Sequence, residues 1–147
     1  MMQAQPPLSQ LIYCSRVSPD LDISAVYDIL EHSIRYNSER SITGMMVFNS
    51  RYFLQVLEGP DTRVLVLRDK IQRDKRHRNF VTLGHEKITT RTWVNWSMSL
   101  VTPTASNRAL FEQFNTHDGF DPYQLRFEQA HDMLHQLSKQ LLKPQAL

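Results

Sequence analysis

Apolar residues recur along the chain at two different spacings, and the change of spacing separates strands from helices. The segment LSQLIYCS (8–15) is a short apolar run that Pro19-Asp20 closes, which predicts a first strand. The next apolar residues follow a helical rhythm and predict a helix whose apolar face holds Ile23, Val26, Tyr27, Leu30 and Ile34. Either Asp20 or Asp22 can cap the start of this helix.

The central part of the chain predicts a hairpin, a second helix and two more strands. Two apolar runs within 41–60 flank the turn residues Asn49-Ser50-Arg51. Pro60-Asp61 then opens a helix whose apolar face holds Val64, Leu67 and Ile71. Phe80–Ile88 and WSMSLV (96–101) predict the fourth and fifth strands. The order is βαββαβ with one extra strand, typical of a ferredoxin-like α+β fold with both helices on one sheet face.

Pro103 marks a boundary, so we predict one domain over 8–102 and a helical extension over 103–147. A short helix is expected near 105–115 and a longer one from about 122 to 142. Asp121 is the predicted N-cap of the longer helix, with Pro122 in its first turn and Gln124 three places on.

The longer helix of the extension, which Pro144 ends, carries a narrow apolar seam. Its members alternate steps of four and three residues: Tyr123, Phe127, Ala130, Leu134, Leu137 and Leu141. Such a seam either docks on the chain's own sheet or pairs with another chain. Because two crossover helices cover only one sheet face, we expect 104–142 to cover the other, with Phe111 and Phe114 among the contacts. Surface left uncovered is expected to support self-assembly into a homo-oligomer.

Composition is that of an ordinary globular domain. The chain has 147 residues, 41% hydrophobic and 22% charged, with a formal net charge of +2. The balance of 17 basic and 15 acidic residues does not call for a nucleic acid or a membrane as partner. Cys14 stands alone, the first ten residues do not resemble a signal peptide, and no apolar run is long enough to span a membrane. A soluble, cytoplasmic protein is therefore expected.

Three strands place a polar or polarisable group among apolar neighbours. Strand alternation puts Tyr13 on one face of the first strand and Cys14 on the other, and it puts Gln55 beside apolar residues of the third. In the fifth strand Trp96, Met98 and Leu100 would share a face. A buried glutamine needs partners for both ends of its amide. The pattern alone fits either ordinary core packing or a binding site.

The segments LIYCS, YNSERSITGMMVFNSRYFLQVLEG, IQRDKRHRN and NWSM occur in this order without an evident insertion. Together they resemble the BLUF family of flavin-binding blue-light sensors, from about Leu8 to Val101. The resemblance implies FAD as cofactor, with FMN or riboflavin as alternatives, and signalling through a downstream protein without enzymatic activity.

The same resemblance implies roles for single residues. Tyr13 matches the photoactive tyrosine that donates an electron and then a proton to the excited flavin. Gln55 matches the glutamine that relays the proton, and Asn37 the asparagine that binds the polar edge of the ring. Met98 and Trp96 match the pair whose contacts with the glutamine differ between dark and light.

Some of the binding residues implied by the resemblance lie in a basic segment. Ser15 matches a small polar residue near the tyrosine. The residues expected on the ribityl and phosphate side of the flavin are Lys70, Asp74, Arg76 and His77. Cations at the end of a helix also suit its dipole without any ligand. Tyr36 departs from the family pattern, and its ring either stacks on the flavin edge or leaves one flavin bond unmade.

Two other functions compete with light sensing. A ferredoxin-like nucleic-acid-binding module could use the basic residues of 70–78, but it would need exposed aromatic residues on an open sheet face. A scaffold without a photocycle could act through protein contacts alone, although Tyr13 and Gln55 are present. Four glycines leave no nucleotide-binding loop, and the six histidines do not form a zinc pattern with the lone cysteine.

Overall fold

The computed structural model describes residues 7–94, 96–114 and 119–142. It contains a five-stranded sheet, two helices between strands, and two helices of the extension. The strands are β1 (Leu8–Val17), β2 (Thr43–Phe48), β3 (Tyr52–Pro60), β4 (His77–Ile88) and β5 (Leu100–Val101). The helices are α1 (Ile23–Glu39), α2 (Asp61–Arg73), α3 (Arg108–Gln113) and α4 (Phe127–Leu142).

The strand order β4-β1-β3-β2-β5 confirms the predicted ferredoxin-like arrangement. β1 pairs antiparallel with β3 and β4, β2 pairs antiparallel with β3, and β5 runs parallel to β2. The β2–β3 turn forms as expected, because the Asn49 side chain accepts hydrogen bonds from the backbone N–H groups of Arg51 and Tyr52. Asp22 caps α1 by accepting a hydrogen bond from the N–H of Ala25.

Each face of the sheet buries its own core, as strand alternation predicts. Leu11, Tyr13 and Phe53 pack under α1 and α2. Ile12 and Leu54, one residue along each strand, pack on the opposite face. The sheet is therefore the middle layer of three.

The extension packs on that opposite face, so its apolar seam docks on the chain's own sheet. The tail residues in this core are Leu110, Phe111, Leu125, Ala130, Met133, Leu134 and Leu137, with Phe114, Tyr123 and Phe127 partly buried against it. Phe127 lies directly over Gly84 of β4, where an added Cβ would come within 2.2 Å of the ring. The seam ends before Leu141, which is 47% exposed.

The apolar face predicted for α1 is wrong, because the buried face is rotated about the helix axis relative to it. The residues of α1 that are buried are Val26, Ile29 and Asn37. Ile23, Tyr27 and Ile34 are 54%, 58% and 42% exposed. The inward face of α1 includes polar residues that line a cleft, and a count of apolar positions cannot detect such a face.

Two boundaries in the C-terminal third also differ from the prediction. The fifth strand comprises Leu100–Val101 instead of 96–101. Asp121 caps a single 3₁₀ turn, Pro122–Gln124, and α4 begins separately at Phe127. Pro144 lies outside the described residues. Among the helices described, none is long and apolar enough to cross a membrane.

Candidate functional site

A row of three side chains crosses the centre of the sheet on the face beneath α1 and α2. Tyr13 of β1 is directly opposite Gln55 of β3, and Gln55 is opposite Met46 of β2. The Tyr13 hydroxyl donates a hydrogen bond to Gln55 Oε1. Gln55 Nε2 in turn donates to the sulfur of Met98, at 3.3 Å. Both ends of the buried amide therefore have partners.

Tyr13 is held as a neutral phenol. Its side chain is fully buried, and the Phe80 ring stacks on it with a centroid distance of 4.5 Å. Burial raises the pKa of Tyr13 well above its ordinary value, and the charges of Asp74 and Cys14 raise it further. The hydroxyl proton therefore stays on Tyr13 in the resting protein, directed at the Gln55 amide.

A cleft opens between α1 and α2 above this row. It brings together most of the residues that the sequence predicts for the site: Tyr13, Tyr36, Asn37, Gln55, Lys70, Asp74, Arg76 and His77. The cleft also contains residues that sequence reasoning did not assign to the site: Ile29, His32, Ser33, Met46, Leu67 and Ile71. Helical spacing back from Asn37 to Ser33 and Ile29, and from Tyr36 to His32, would have found the α1 members, because residues four apart share a face.

Asn37 is a buried residue of the cleft lining, and only one end of its amide is hydrogen-bonded within the described residues. Its Nδ2 donates to the carbonyl oxygen of Ser97, at 2.9 Å. Its Oδ1 is buried and has no hydrogen-bond partner among the residues that the structure describes. A buried carbonyl oxygen without a partner is unfavourable, so this acceptor fits a ligand that carries an N–H group.

The rim beside Tyr13 is polar but nearly neutral. Desolvation acts to raise the pKa of Asp74, but the hydrogen bonds from Arg76 outweigh it and the pKa lies below its usual value. His77 Nδ1 is 2.8 Å from Ser15 Oγ. Burial lowers the pKa of His77 to about 4, so the imidazole is neutral at pH 7. Ser15 is not part of the cleft lining, but it contacts His77, which is.

Tyr36 is packed between two cations, one at the residue after α1 and one on α2. The Arg40 guanidinium lies 3.7 Å from the centroid of the Tyr36 ring, and the Lys70 ammonium lies 4.2 Å from it. These contacts are cation–π interactions, and the one with Lys70 connects α1 to α2 across the cleft. Tyr36 therefore lines the cleft in direct contact with Lys70.

Trp96 and Met98 lie on opposite faces of the sheet, contrary to the prediction that they share one. Met98 belongs to the core beneath α1 and α2, whereas Trp96 packs against the core beneath the tail. Residues 96–99 do not form a regular strand, so side-chain alternation does not apply to them. Met98, and not Trp96, contacts Gln55 in this structure.

Comparison with known proteins identifies the class. Residues 8–99 match the family model described as BLUF, sensors of blue light using FAD. The match covers more than half of the chain, and the chain belongs to the BLUF family. It is thus a flavin-binding blue-light sensor, with FAD as the cofactor of its family.

The relatives include single modules and much larger proteins. The blue light- and temperature-regulated antirepressor BluF of Escherichia coli (strain K12) is 34% identical over 76 residues, which are 52% of this chain and 19% of BluF. The photoactivated adenylate cyclase subunit beta of Euglena longa is 32% identical over 96 residues, 65% of this chain and 11% of that protein. The chain thus spans a fifth or less of the length of these curated relatives.

Solved structures match over nearly the whole chain. The photo-activated state of BlsA superposes with a TM-score of 0.81 at 26% identity, covering 95% of this chain and 99% of BlsA. The dark state of BlrB, a BLUF protein, superposes with a TM-score of 0.79 at 28% identity, covering 93% and 98%. The similarity therefore includes the helical extension as well as the sheet.

The residues that line the cleft are chemically suited to a flavin. The isoalloxazine ring carries one imide N–H, and the unpartnered Oδ1 of Asn37 is a buried acceptor for such a donor. Ile29 and Ile71 supply apolar walls, and Lys70 supplies positive charge at the opening. Apolar walls with a few placed polar groups are typical of cofactor sites.

Proposed function

We propose that Tyr13, Gln55 and Met98 are the light switch of this protein, and that the switch signals through the helical tail to a partner protein. The observation that supports this most is the continuous chain of contacts from the Tyr13 hydroxyl through the Gln55 amide to the Met98 sulfur. A bound flavin supplies blue-light absorption and, once excited, an acceptor for an electron and a proton.

Tyr13 and Gln55 suit this chemistry because of their resting arrangement. The neutral phenol can give up an electron and a proton together, and its hydroxyl already donates a hydrogen bond to Gln55 Oε1. An amide presents a donor and an acceptor on one planar group, so rotation or tautomerisation exchanges what it offers on each side. After that exchange Gln55 no longer presents the same N–H to Met98, and that contact must change.

Other cleft residues hold the cofactor in this proposal. Asn37 binds the polar edge of the ring, and Lys70 faces the phosphate side together with Asp74, Arg76 and His77. Tyr36 keeps Lys70 in place through the cation–π contact. We expect FAD in the cell, with FMN or riboflavin able to occupy the same cleft.

The output is proposed to be a protein–protein interaction. BluF is named as an antirepressor and the Euglena protein as a photoactivated cyclase, so related modules are found in proteins with different outputs. For this chain we propose a cytoplasmic signalling partner and a homo-oligomer, with 8–102 as sensor and 103–147 as output element. The nucleic-acid alternative lacks its surface, since the described helices cover both sheet faces.

A dark-minus-light absorption spectrum of the purified protein tests the switch. We expect a yellow protein whose flavin band shifts reversibly to longer wavelength in blue light. A thiol adduct should not form, because Cys14 is buried on the opposite sheet face, where burial raises the pKa of its thiol to about 12. A colourless protein, or bleaching to an adduct spectrum, would contradict the proposal.

A further inference from the structure

A buried carboxylate on the tail side of the sheet holds the segment that precedes Trp96 and Met98. Glu58, near the end of β3, is fully buried. Its Oε2 accepts a hydrogen bond from Gln10 Nε2 at 2.8 Å. Its Oε1 accepts from the backbone N–H groups of Thr92 and Trp93, at 2.9 and 2.7 Å. A buried carboxylate is stable only with such partners, and here they include two main-chain donors after β4.

Arg91 fastens the same segment from its other side. Its guanidinium donates to the carbonyl oxygens of Glu58 and Ser41, at 3.0 and 2.6 Å, and to Thr43 Oγ1 at 3.0 Å. Residues 91–93 are thus tied to β3, to β2 and to the turn before it. A backbone held by five side-chain hydrogen bonds resists displacement.

The Trp93 side chain connects the fixed residues 91–93 to the tail. Trp93 is 1% exposed, and its ring meets the rings of His131 and His135 on α4 edge-on, at centroid distances of 5.3 and 6.3 Å. Trp96 lies in the same linker, the segment between β4 and β5 (89–99), and packs against the core beneath the tail. The linker therefore contacts α4 before the chain reaches Met98 on the other face.

Residues 96–99 are held differently, by the light-sensing site itself. The carbonyl oxygens of Trp96 and Ser99 accept hydrogen bonds from the β2 N–H groups of Gly44 and Met46. Asn37 donates to Ser97, and Gln55 donates to Met98. Two of these four contacts come from cleft side chains, and the proposed switch rearranges the one from Gln55.

We infer that Glu58 is a positioning residue of the switch, fixing residues 92–93 so that movement at Met98 is passed to α4 through Trp93 and Trp96. This inference rests on the proposed function. Without a fixed point, a shift of residues 96–99 would be absorbed in the linker after β4 and would not reach the tail. Glu58 does not face the cleft, so it is not required for the colour change itself.

The test compares Glu58→Gln with the double variant Gln10→Glu/Glu58→Gln. The single change leaves an acceptor for Thr92 and Trp93 but sets an amide N–H₂ group against the donor of Gln10. The double variant exchanges the two groups and restores a donor–acceptor pair. Glu86→Gln, an exposed carboxylate opposite Gln10 on β4, is the matched control. The readouts are the flavin red shift and hydrogen exchange at 92–93 and in α4, in dark and light.

We expect Glu58→Gln to keep the red shift, to exchange the amides of 92–93 about ten-fold faster in the dark, and to lose most of the light-induced change in α4. The double variant should restore both exchange properties, and Glu86→Gln should match the wild type. A single variant that still transmits the light change to α4 would overturn the inference. Loss of flavin binding or of the red shift in the single variant would also overturn it. So would a double variant that does not regain the light-induced change in α4. Absence of a red shift in the wild type would instead refute the proposed function.

Discussion

The Tyr13 phenol and the Gln55 amide face each other on neighbouring strands, and both side chains are buried. In such a site each hydrogen bond matters, because an unmade one has no solvent to replace it. The amide has a proton donor on one side and the Met98 sulfur on the other, so its two ends have unequal partners. Because the partners differ, one rotation or tautomer change of the Gln55 amide alters the hydrogen bonds at both of its ends.

Removing the phenolic hydroxyl should separate binding from switching. Tyr13→Phe keeps the ring that stacks on Phe80 but removes the donor to Gln55. We expect the variant to retain flavin and to lose the red shift, measured as the dark-minus-light difference spectrum. Gln55→Leu should behave in the same way. Tyr52→Phe, on the neighbouring strand and outside the cleft, is the control and should shift normally; a full shift in Tyr13→Phe would refute the assignment.

His77 should make the folded protein sensitive to mild acid. The unfolded chain takes up a proton on histidine near pH 6.5, whereas burial lowers the pKa of His77 in the folded protein to about 4. Between these values only the unfolded state is protonated, so stability falls as the pH falls from 6.5 to 4. The loss attributable to His77 is about 3 kcal/mol.

The measurement is the free energy of unfolding of the flavin-free protein against pH, for wild type and His77→Gln. Glutamine retains a hydrogen-bonding group for Ser15 but does not titrate in this range. The wild-type curve should drop more steeply between pH 6.5 and 4 than the variant curve. Parallel curves would show that His77 titrates normally in the fold.

Among the elements, α4 depends for its position on a few buried side chains. Leu134 is fully buried against the sheet, whereas Leu141 on the same helix is 47% exposed. Leu134→Ala should destabilise the protein by about 2–5 kcal/mol through lost burial and a cavity. Leu141→Ala should change stability by less than about 0.5 kcal/mol. Urea unfolding measures both, and equal effects would mean that α4 is not docked as described.

The elements also show what sequence can and cannot predict. Alternation correctly separated Tyr13 and Gln55 from Ile12 and Leu54, because both strands are regular and buried on both faces. It failed at Trp96 and Met98, because residues 96–99 do not form a regular strand. No local pattern connects Glu58 with residues 92–93, since that contact depends on the folded path of a linker.

In the whole molecule, the sheet lies between the cleft formed by α1 and α2 and the tail. Residues 96–99, at the β2 edge, contribute Met98 to one side and Trp96 to the other. A rearrangement at Gln55 therefore has a short route to the tail that does not cross the sheet. We expect this rearrangement to change the surface of the tail, and we expect partner binding and self-association to respond to light through that change.

The most direct test of this account is hydrogen exchange in light and in darkness across 96–142, with scattering mass measured in both states. The wild type should show a light-induced difference at 96–99 and in α4, and Tyr13→Phe should show none. A change in mass would identify self-association as part of the response. A wild-type protein that shows the red shift but no exchange difference anywhere beyond residue 96 would contradict the account.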